Sequence, residues 1–192
     1  MSETVEWWKG DFGAEYTKRN RVNWRDRVPF WEHIIEETNA QSFLDVGCNA
    51  GWNLQAIRSI NSEYLMSGLD VNRGALEEAT AAGFDVMEGR ADQAAELFGP
   101  MAADLVVTSG VLIHIAPEDL TAAMKSIAEA SAKYVLAIEY DAHEAAEVVY
   151  RGHTGRLWRR PYGKLYQDLG LTLVETGPAQ GYVECNFWLL EK

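Results

Sequence analysis

The stretch from Ser42 to Leu54, SFLDVGCNAGWNL, narrows the fold more than any other part of the chain. Phe43, Leu44 and Val46 make a short apolar run around Asp45, glycines follow, and Leu54, Ile57 and Ile60 then recur at helical spacing. A buried strand, a tight turn and a helix account for that pattern. In an open α/β sheet, the crevice beyond the carboxyl end of such a strand receives a nucleotide-like ligand, because free amides and a helix N-terminus face it. Candidate binding residues therefore lie between Asp45 and Asn53: Asp45 itself, Gly47, Asn49, Gly51 and Asn53.

The same turn excludes ligands. A dinucleotide turn needs G-x-G-x-x-G, the second glycine for approach to the pyrophosphate and the third for close helix packing. Aligned on Gly47, those places hold Asn49 and Trp52, and an indole conflicts with close packing of helix on strand. No Gly-Lys-Ser/Thr follows, so a P-loop is excluded as well. With 17 basic and 29 acidic residues the net charge is -12, which argues against nucleic acid as a partner. The two cysteines, Cys48 and Cys185, lie far apart without C-x-x-C or a histidine pair, so neither a disulfide framework nor a metal site is expected. A reduced, cytoplasmic setting fits. No export signal opens MSETVEWWKG and no apolar run is long enough for a bilayer, so no membrane partner is expected.

The 192 residues amount to one domain, with residues 1–39 as an N-terminal helical cap or lid and 40–192 as one compact unit. The cap is rich in aromatic and charged residues, and Pro29 opens a helix that turns Phe30, Trp31, Ile34 and Ile35 to the core. After the first helix, Tyr64 to Leu69 reads as a second strand ending at Asp70. An acidic residue there, roughly two dozen positions past the glycine turn, is placed to accept hydrogen bonds from ribose hydroxyls, and also suits a helix cap. Gly74 to Ala82 reads as helix and Phe84 to Met87 as the third strand, with Asp92 just beyond it in GRADQ. The fourth strand, Asp104 to Thr108, leads into SGVLIHI, which sets Ser109 and His114 at the switch-point crevice. Helix Pro117 to Ala130 and strand Tyr134 to Glu139 follow; Leu171 to Glu175 and Val183 to Leu190 close the sheet.

One segment stands out in composition. YRGHTGRLWRRPYG gathers Arg151, His153, Arg156, Arg159 and Arg160 in an otherwise acidic chain. Guanidinium groups grip carboxylate and phosphate oxygens, so Arg151, His153 and Arg156, with His143 upstream, are candidates for an anionic substrate. Pairing with surplus carboxylates is the other reading of the same residues.

DVGCNAG, Asp70, Asp92, SGVLIHI and the closing strand pair together resemble the class I, Rossmann-like S-adenosylmethionine-dependent methyltransferases over most of residues 41–192, with Asn49 where the family has its middle glycine. WKGDFGAEYTKRN and YRGHTG are similar to the small methyltransferases associated with pseudaminic acid biosynthesis clusters. The resemblance implies an α/β fold: a three-layer, doubly wound, mostly parallel seven-stranded sheet with an antiparallel last strand. It implies S-adenosylmethionine as cofactor, the turn Gly47 to Gly51 at its methionyl end, Asp70 at the ribose and Asp92 near adenine. Tyr16, Arg19 and Asn20 of the cap would close over the methionine.

The activity expected is methyl transfer to O or N of a small polar, anionic metabolite such as a sugar acid; a non-catalytic S-adenosylmethionine- or nucleotide-binding module is the alternative. The protein's tasks are then alignment, exclusion of water and, for a hydroxyl or ammonium acceptor, removal of a proton. His114 leads as the base, since imidazole titrates near neutrality, and a core histidine bonded to backbone is its other reading. Glu139 and Tyr140 are further catalytic candidates. No Asn/Asp-Pro-Pro-aromatic follows strand four, which argues against amino methylation of DNA, and Cys48 is poorly placed for attack on a ring carbon.

Overall fold

The structure, a computed structural model, describes residues 3–192, so the first two residues of the expected cap lie outside the described residues. The chain opens with α1 (Glu3–Lys9), α2 (Asp11–Arg19), a 3-10 turn over Trp24–Arg27 and α3 (Val28–Thr38). Then come β1 (Ser42–Val46), α4 (Trp52–Ile60), β2 (Leu65–Asp70), α5 (Arg73–Ala81) and β3 (Asp85–Glu88). The second half holds α6 (Ala94–Phe98), β4 (Ala103–Ser109), α7 (Pro117–Ala130) and β5 (Ser131–Glu139). A small hairpin of β6 (Ala146–Glu147) and β7 (Trp158–Arg159) precedes α8 (Tyr162–Asp168), β8 (Thr172–Pro178) and β9 (Asn186–Glu191).

Seven strands form one sheet in the order β3-β2-β1-β4-β5-β9-β8, parallel except for β9, which runs antiparallel to both its neighbours. The central strands are apolar at successive positions because both faces are covered. Leu105 and Val107 of β4 point to one face with Phe43, Leu136 and Leu189, and there meet Phe30, Trp31 and Ile34 of α3 and Ile57 of α4. Val106 points to the other face with Leu44, Val135 and Leu190, against Met124 and Ile127 of α7 and the rings of Tyr162 and Tyr166 on α8. That is the expected three-layer, doubly wound arrangement. Full burial of Trp31 alone removes enough apolar area to be worth about 3 kcal/mol, which anchors α3 to the sheet.

The closing strands differ from expectation. β8 runs on through Gly177 and Pro178, which pair with Phe187 and Asn186. Proline is accommodated because β8 is an edge strand, where a missing N–H leaves no ladder bond unmade. β9 starts only at Asn186: Glu184 sits at φ 57°, a left-handed conformation that breaks the strand, and Val183 before it is exposed.

Candidate active site

The turn after β1 is strapped to the end of β2. The amides of Gly47 and Cys48 both donate to the Leu69 carbonyl, at 2.6 and 2.9 Å. Gly47 has φ 82°, and a Cβ there would run into Cγ2 of Val111 from the loop after β4. The glycine therefore lets the two loops that bound the switch-point crevice come together. Asn49, also left-handed at φ 48°, donates its amide to Asp70 Oδ2 at 2.8 Å, and Asn72 donates its own to Oδ1 at 2.8 Å. Burial raises the Asp70 pKa, and those two amides oppose the rise.

A cleft opens over these strand ends. Gly47, Asn49, Asn53, Asp70, Asp92 and Ser109 all line it. Asp92 is held by the guanidinium of Arg90, whose Nε lies 2.8 Å from Oδ1. Trp52 forms part of the wall rather than filling the space, and the roof comes from the cap through Thr4, Val5, Trp8, Gly13 and Tyr16. Asn72 ties roof to floor: its Nδ2 donates to the Trp8 carbonyl at 2.9 Å while its Oδ1 caps α5 by accepting from the Ala75 amide. Burial pushes the Tyr16 hydroxyl up to about 12, so it stays neutral at physiological pH.

Asp45 lies beneath the turn, fully buried and outside the cleft lining. Its Oδ2 accepts from Asn53 Nδ2 at 3.2 Å, and burial pushes its carboxyl up to about 7. Asn53 Oδ1 in turn accepts from Tyr182 Oη and from Arg27 Nη1, both at 2.7 Å, and Arg27 also covers the Tyr182 ring. Arg27 lines the cleft with its Nε buried and without a partner. The sequence reading points instead to Arg19 and Asn20. Neither Arg19 nor Asn20 lines the cleft: Arg19 is exposed over the Phe12 ring, and Asn20 ends α2 by donating to the Tyr16 carbonyl. The one signal for Arg27 is its position just ahead of the Pro29 helix, whose apolar face has to dock beside β1.

The catalytic candidates separate. His114 lines the cleft beside Trp8, with ring centroids 4.6 Å apart. Its Nδ1 lies 2.7 Å from the Arg156 carbonyl; a carbonyl only accepts, so Nδ1 carries the proton and Nε2 keeps its lone pair. Burial drives the imidazole pKa down to about 4, contrary to the expected titration near neutrality. Glu139 is fully buried outside the lining. Its carboxylate accepts from the amides of Val111, Leu112 and Ile113 and so clamps the loop that carries His114. Tyr140 also lies outside the lining, under the Arg159 guanidinium.

The arginine segment borders the cleft without lining it. Arg151, His153 and His143 are exposed. Arg156 is turned toward α1, where it donates to Glu3 Oε1 at 2.6 Å and to Thr4 Oγ1 at 3.2 Å and lies over the Trp7 ring. Buried Arg160 donates to the carbonyls of Leu112 and Ile115. Arg156, Arg159 and Arg160 thus cap carbonyls or pair with carboxylates, whereas the side chains of Arg151 and His153 have no such partner among the described residues.

Comparison with known proteins adds to this picture. Residues 43–133, a little under half of the chain, match the family described as Methyltransferase domain. No curated protein matches. Among solved structures, the fold is similar to magnesium protoporphyrin IX methyltransferase from Synechocystis with bound S-adenosylhomocysteine, at 14% identity and a TM-score of 0.72 over 98% of this chain and 97% of that one. It is also similar to the 1,6-didemethyltoxoflavin-N1-methyltransferase of Burkholderia thailandensis, at 14% identity and TM-score 0.74, over 100% of this chain and 91% of the other. A Leishmania major S-adenosylmethionine-dependent methyltransferase gives 16% and 0.73, over 100% and 87%. The segment that builds the cleft floor thus matches the methyltransferase-domain family, and the chain has the Rossmann-like fold of these S-adenosylmethionine-dependent methyltransferases.

Proposed function

We propose that the protein methylates a small polar molecule at O or N, with S-adenosylmethionine as the methyl donor. One observation carries this reading: the left-handed glycine turn, the carboxylate ending β2 and the loops after β3 and β4 share a single roofed cleft. The groups present suit the cofactor. Asp70 supplies a carboxylate for ribose hydroxyls, Asp92 lies where the loop after β3 would meet adenine, and Ser109 lies at the crevice. Arg27, whose Nε lacks an acceptor, supplies a cation for the methionyl carboxylate next to Asn53 and Gly47. When bound, S-adenosylmethionine supplies an electrophilic methyl group on sulfur, and the chain's own residues do the rest.

Those residues exclude water and move a proton. The α1–α2 roof covers the cleft, and Glu139 holds the His114 loop rigid through three amides. His114 is the base in this reading, with Nδ1 fixed as a donor and Nε2 free to accept. Its lowered pKa does not disable it, because an alcohol or ring nitrogen becomes far more acidic than imidazolium as it gains a methyl group. A sugar acid is the second reading for the acceptor. It is favoured by the likeness to the pseudaminic acid-associated enzymes, whose two motifs meet here through the rings of Phe12 and Tyr150. Calorimetry with S-adenosylhomocysteine tests the cofactor assignment. We expect binding at micromolar affinity or better, lost in Asp70→Ala, and absence of heat with the wild-type protein would refute it.

A further inference from the structure

The loop from Ala179 to Cys185, between β8 and β9, folds back on itself and onto the chain ahead of α3. The Ala179 amide donates to the Cys185 carbonyl at 3.0 Å, and the Tyr182 amide donates to the Ala179 carbonyl at 3.2 Å. Gly181, at φ 83°, lies so close to the 3-10 turn over Trp24–Arg27 that a Cβ on it would come within 2.5 Å of the Asp26 carbonyl oxygen and 3.0 Å of Arg27 Cα. Glycine serves there both for the backbone angle and for the close approach. The late start of β9 thus has a consequence: it leaves a loop free to seat itself on the backbone of Asp26 and Arg27.

Tyr182 extends from that seat. Its hydroxyl donates to Asn53 Oδ1 at 2.7 Å and accepts from Trp31 Nε1 at 3.1 Å. An indole N–H only donates, so the hydrogen on the tyrosine oxygen is left for Asn53. Arg27 Nη1 donates to the same Oδ1, also at 2.7 Å, and Asn53 Nδ2 is left to face Asp45 Oδ2. Donation therefore runs one way, from Trp31 through Tyr182 and Asn53 to a buried carboxylate, with Arg27 joining at Asn53. The Tyr182 ring also covers the guanidinium, whose Cζ lies 4.1 Å from the ring centroid. Arg27 and Asn53 line the cleft, whereas Tyr182 and Trp31 lie outside the lining. An arginine held on one face by a ring and at one nitrogen by a shared amide oxygen has little rotamer freedom left to lose when an anion arrives.

We propose, on the basis of the methyl-transfer reading and its Arg27 contact, that Tyr182 is a positioning residue for the amino-acid end of the cofactor. It touches no ligand. It acts through Arg27, holding the guanidinium in place beforehand, and so makes the cleft favour ligands that carry the methionyl carboxylate over those that lack it.

The test is a double-mutant cycle read by calorimetry with two ligands, S-adenosylhomocysteine and 5′-methylthioadenosine, the second of which has no amino-acid portion. Tyr182→Phe keeps the ring and removes the hydroxyl. It should weaken S-adenosylhomocysteine about three- to tenfold and leave 5′-methylthioadenosine within about twofold of wild type. On the Arg27→Ala background, where the residue it acts through is gone, the same substitution should cost S-adenosylhomocysteine less than about twofold. Binding of 5′-methylthioadenosine shows that each variant is folded. The proposal is overturned if Tyr182→Phe leaves S-adenosylhomocysteine affinity unchanged, if it weakens both ligands alike, or if its cost is the same with and without Arg27. A wild-type protein that gives no heat with either ligand removes the methyltransferase reading itself, a separate outcome.

Discussion

Replacing Arg27 with alanine removes the one cation, among the described residues, at the end of the cleft that holds Asn53 and the glycine turn. In the proposed cofactor pose, its guanidinium meets the methionyl carboxylate, a charge-assisted contact worth about 1.5–3 kcal/mol. At about 1.4 kcal/mol per decade that is roughly a 10- to 150-fold loss of affinity for S-adenosylhomocysteine. The substitution also leaves Asn53 Oδ1 with Tyr182 as its remaining donor, so a loosened turn is a second route to weaker binding. A second ligand separates the two. 5′-Methylthioadenosine has the same nucleoside and sulfur but no amino-acid portion, so Arg27→Ala should leave its affinity within about threefold of wild type. Asp70→Asn should instead weaken both ligands alike, because both carry the ribose. Calorimetry on three proteins and two ligands completes the cycle. Equal weakening of both ligands by Arg27→Ala would refute the carboxylate contact and make Arg27 a prop for the turn.

Three further outcomes are expected from the geometry. Gly47→Ala forces a methyl group against Val111 at φ 82°, which should cost roughly 2–4 kcal/mol of stability and most of the cofactor affinity; an unchanged urea midpoint would contradict it. Burial raises Glu139 from the ordinary carboxyl range to about 7, so between those values the folded protein holds a proton that the unfolded chain releases. Its contribution to stability therefore falls as pH rises through that window, by roughly 3 kcal/mol in full, and urea titrations at pH 5 and pH 8 should show a smaller drop in Glu139→Gln than in wild type. His114, lowered to about 4, stays neutral above that pH, so turnover should show no limb near the ordinary imidazole value and should fall only as pH drops through about 4. A limb near 6.5 that disappears in His114→Phe would overturn the placement of that ring.

The fold is legible in the sequence because its signals are local. Apolar runs of strand length, each followed by an amphipathic stretch, mark β1 to β5 and their helices, and Pro29 and Pro117 mark two helix starts. The boundary of β8 is not legible, for a physical reason: Gly177 and Pro178 carry turn chemistry in sequence, but on an edge strand they cost no ladder bond and the strand continues through them. The β6–β7 hairpin, two residues per strand, is too short to leave a period in the sequence.

The two halves of the site differ in the same way. The cofactor half is backbone at the ends of neighbouring strands, where a glycine at φ 82° and a carboxylate closing β2 announce themselves within a few residues. The roofed half of the cleft is assembled by folding residues 3–16 over the loops at 109–114 and 150–156, so its meaning lies in pairs distant in sequence: Trp8 with His114, Arg156 with Glu3, Asn72 with the Trp8 carbonyl. A cluster of arginines in an acidic chain looks like a site for anions until those partners are known. Glu3 and the carbonyls of Leu112 and Ile115 are anionic or electron-rich groups as good as any substrate's, and already within the same chain. Once they have claimed Arg156 and Arg160, those arginines organise the roof and the His114 loop.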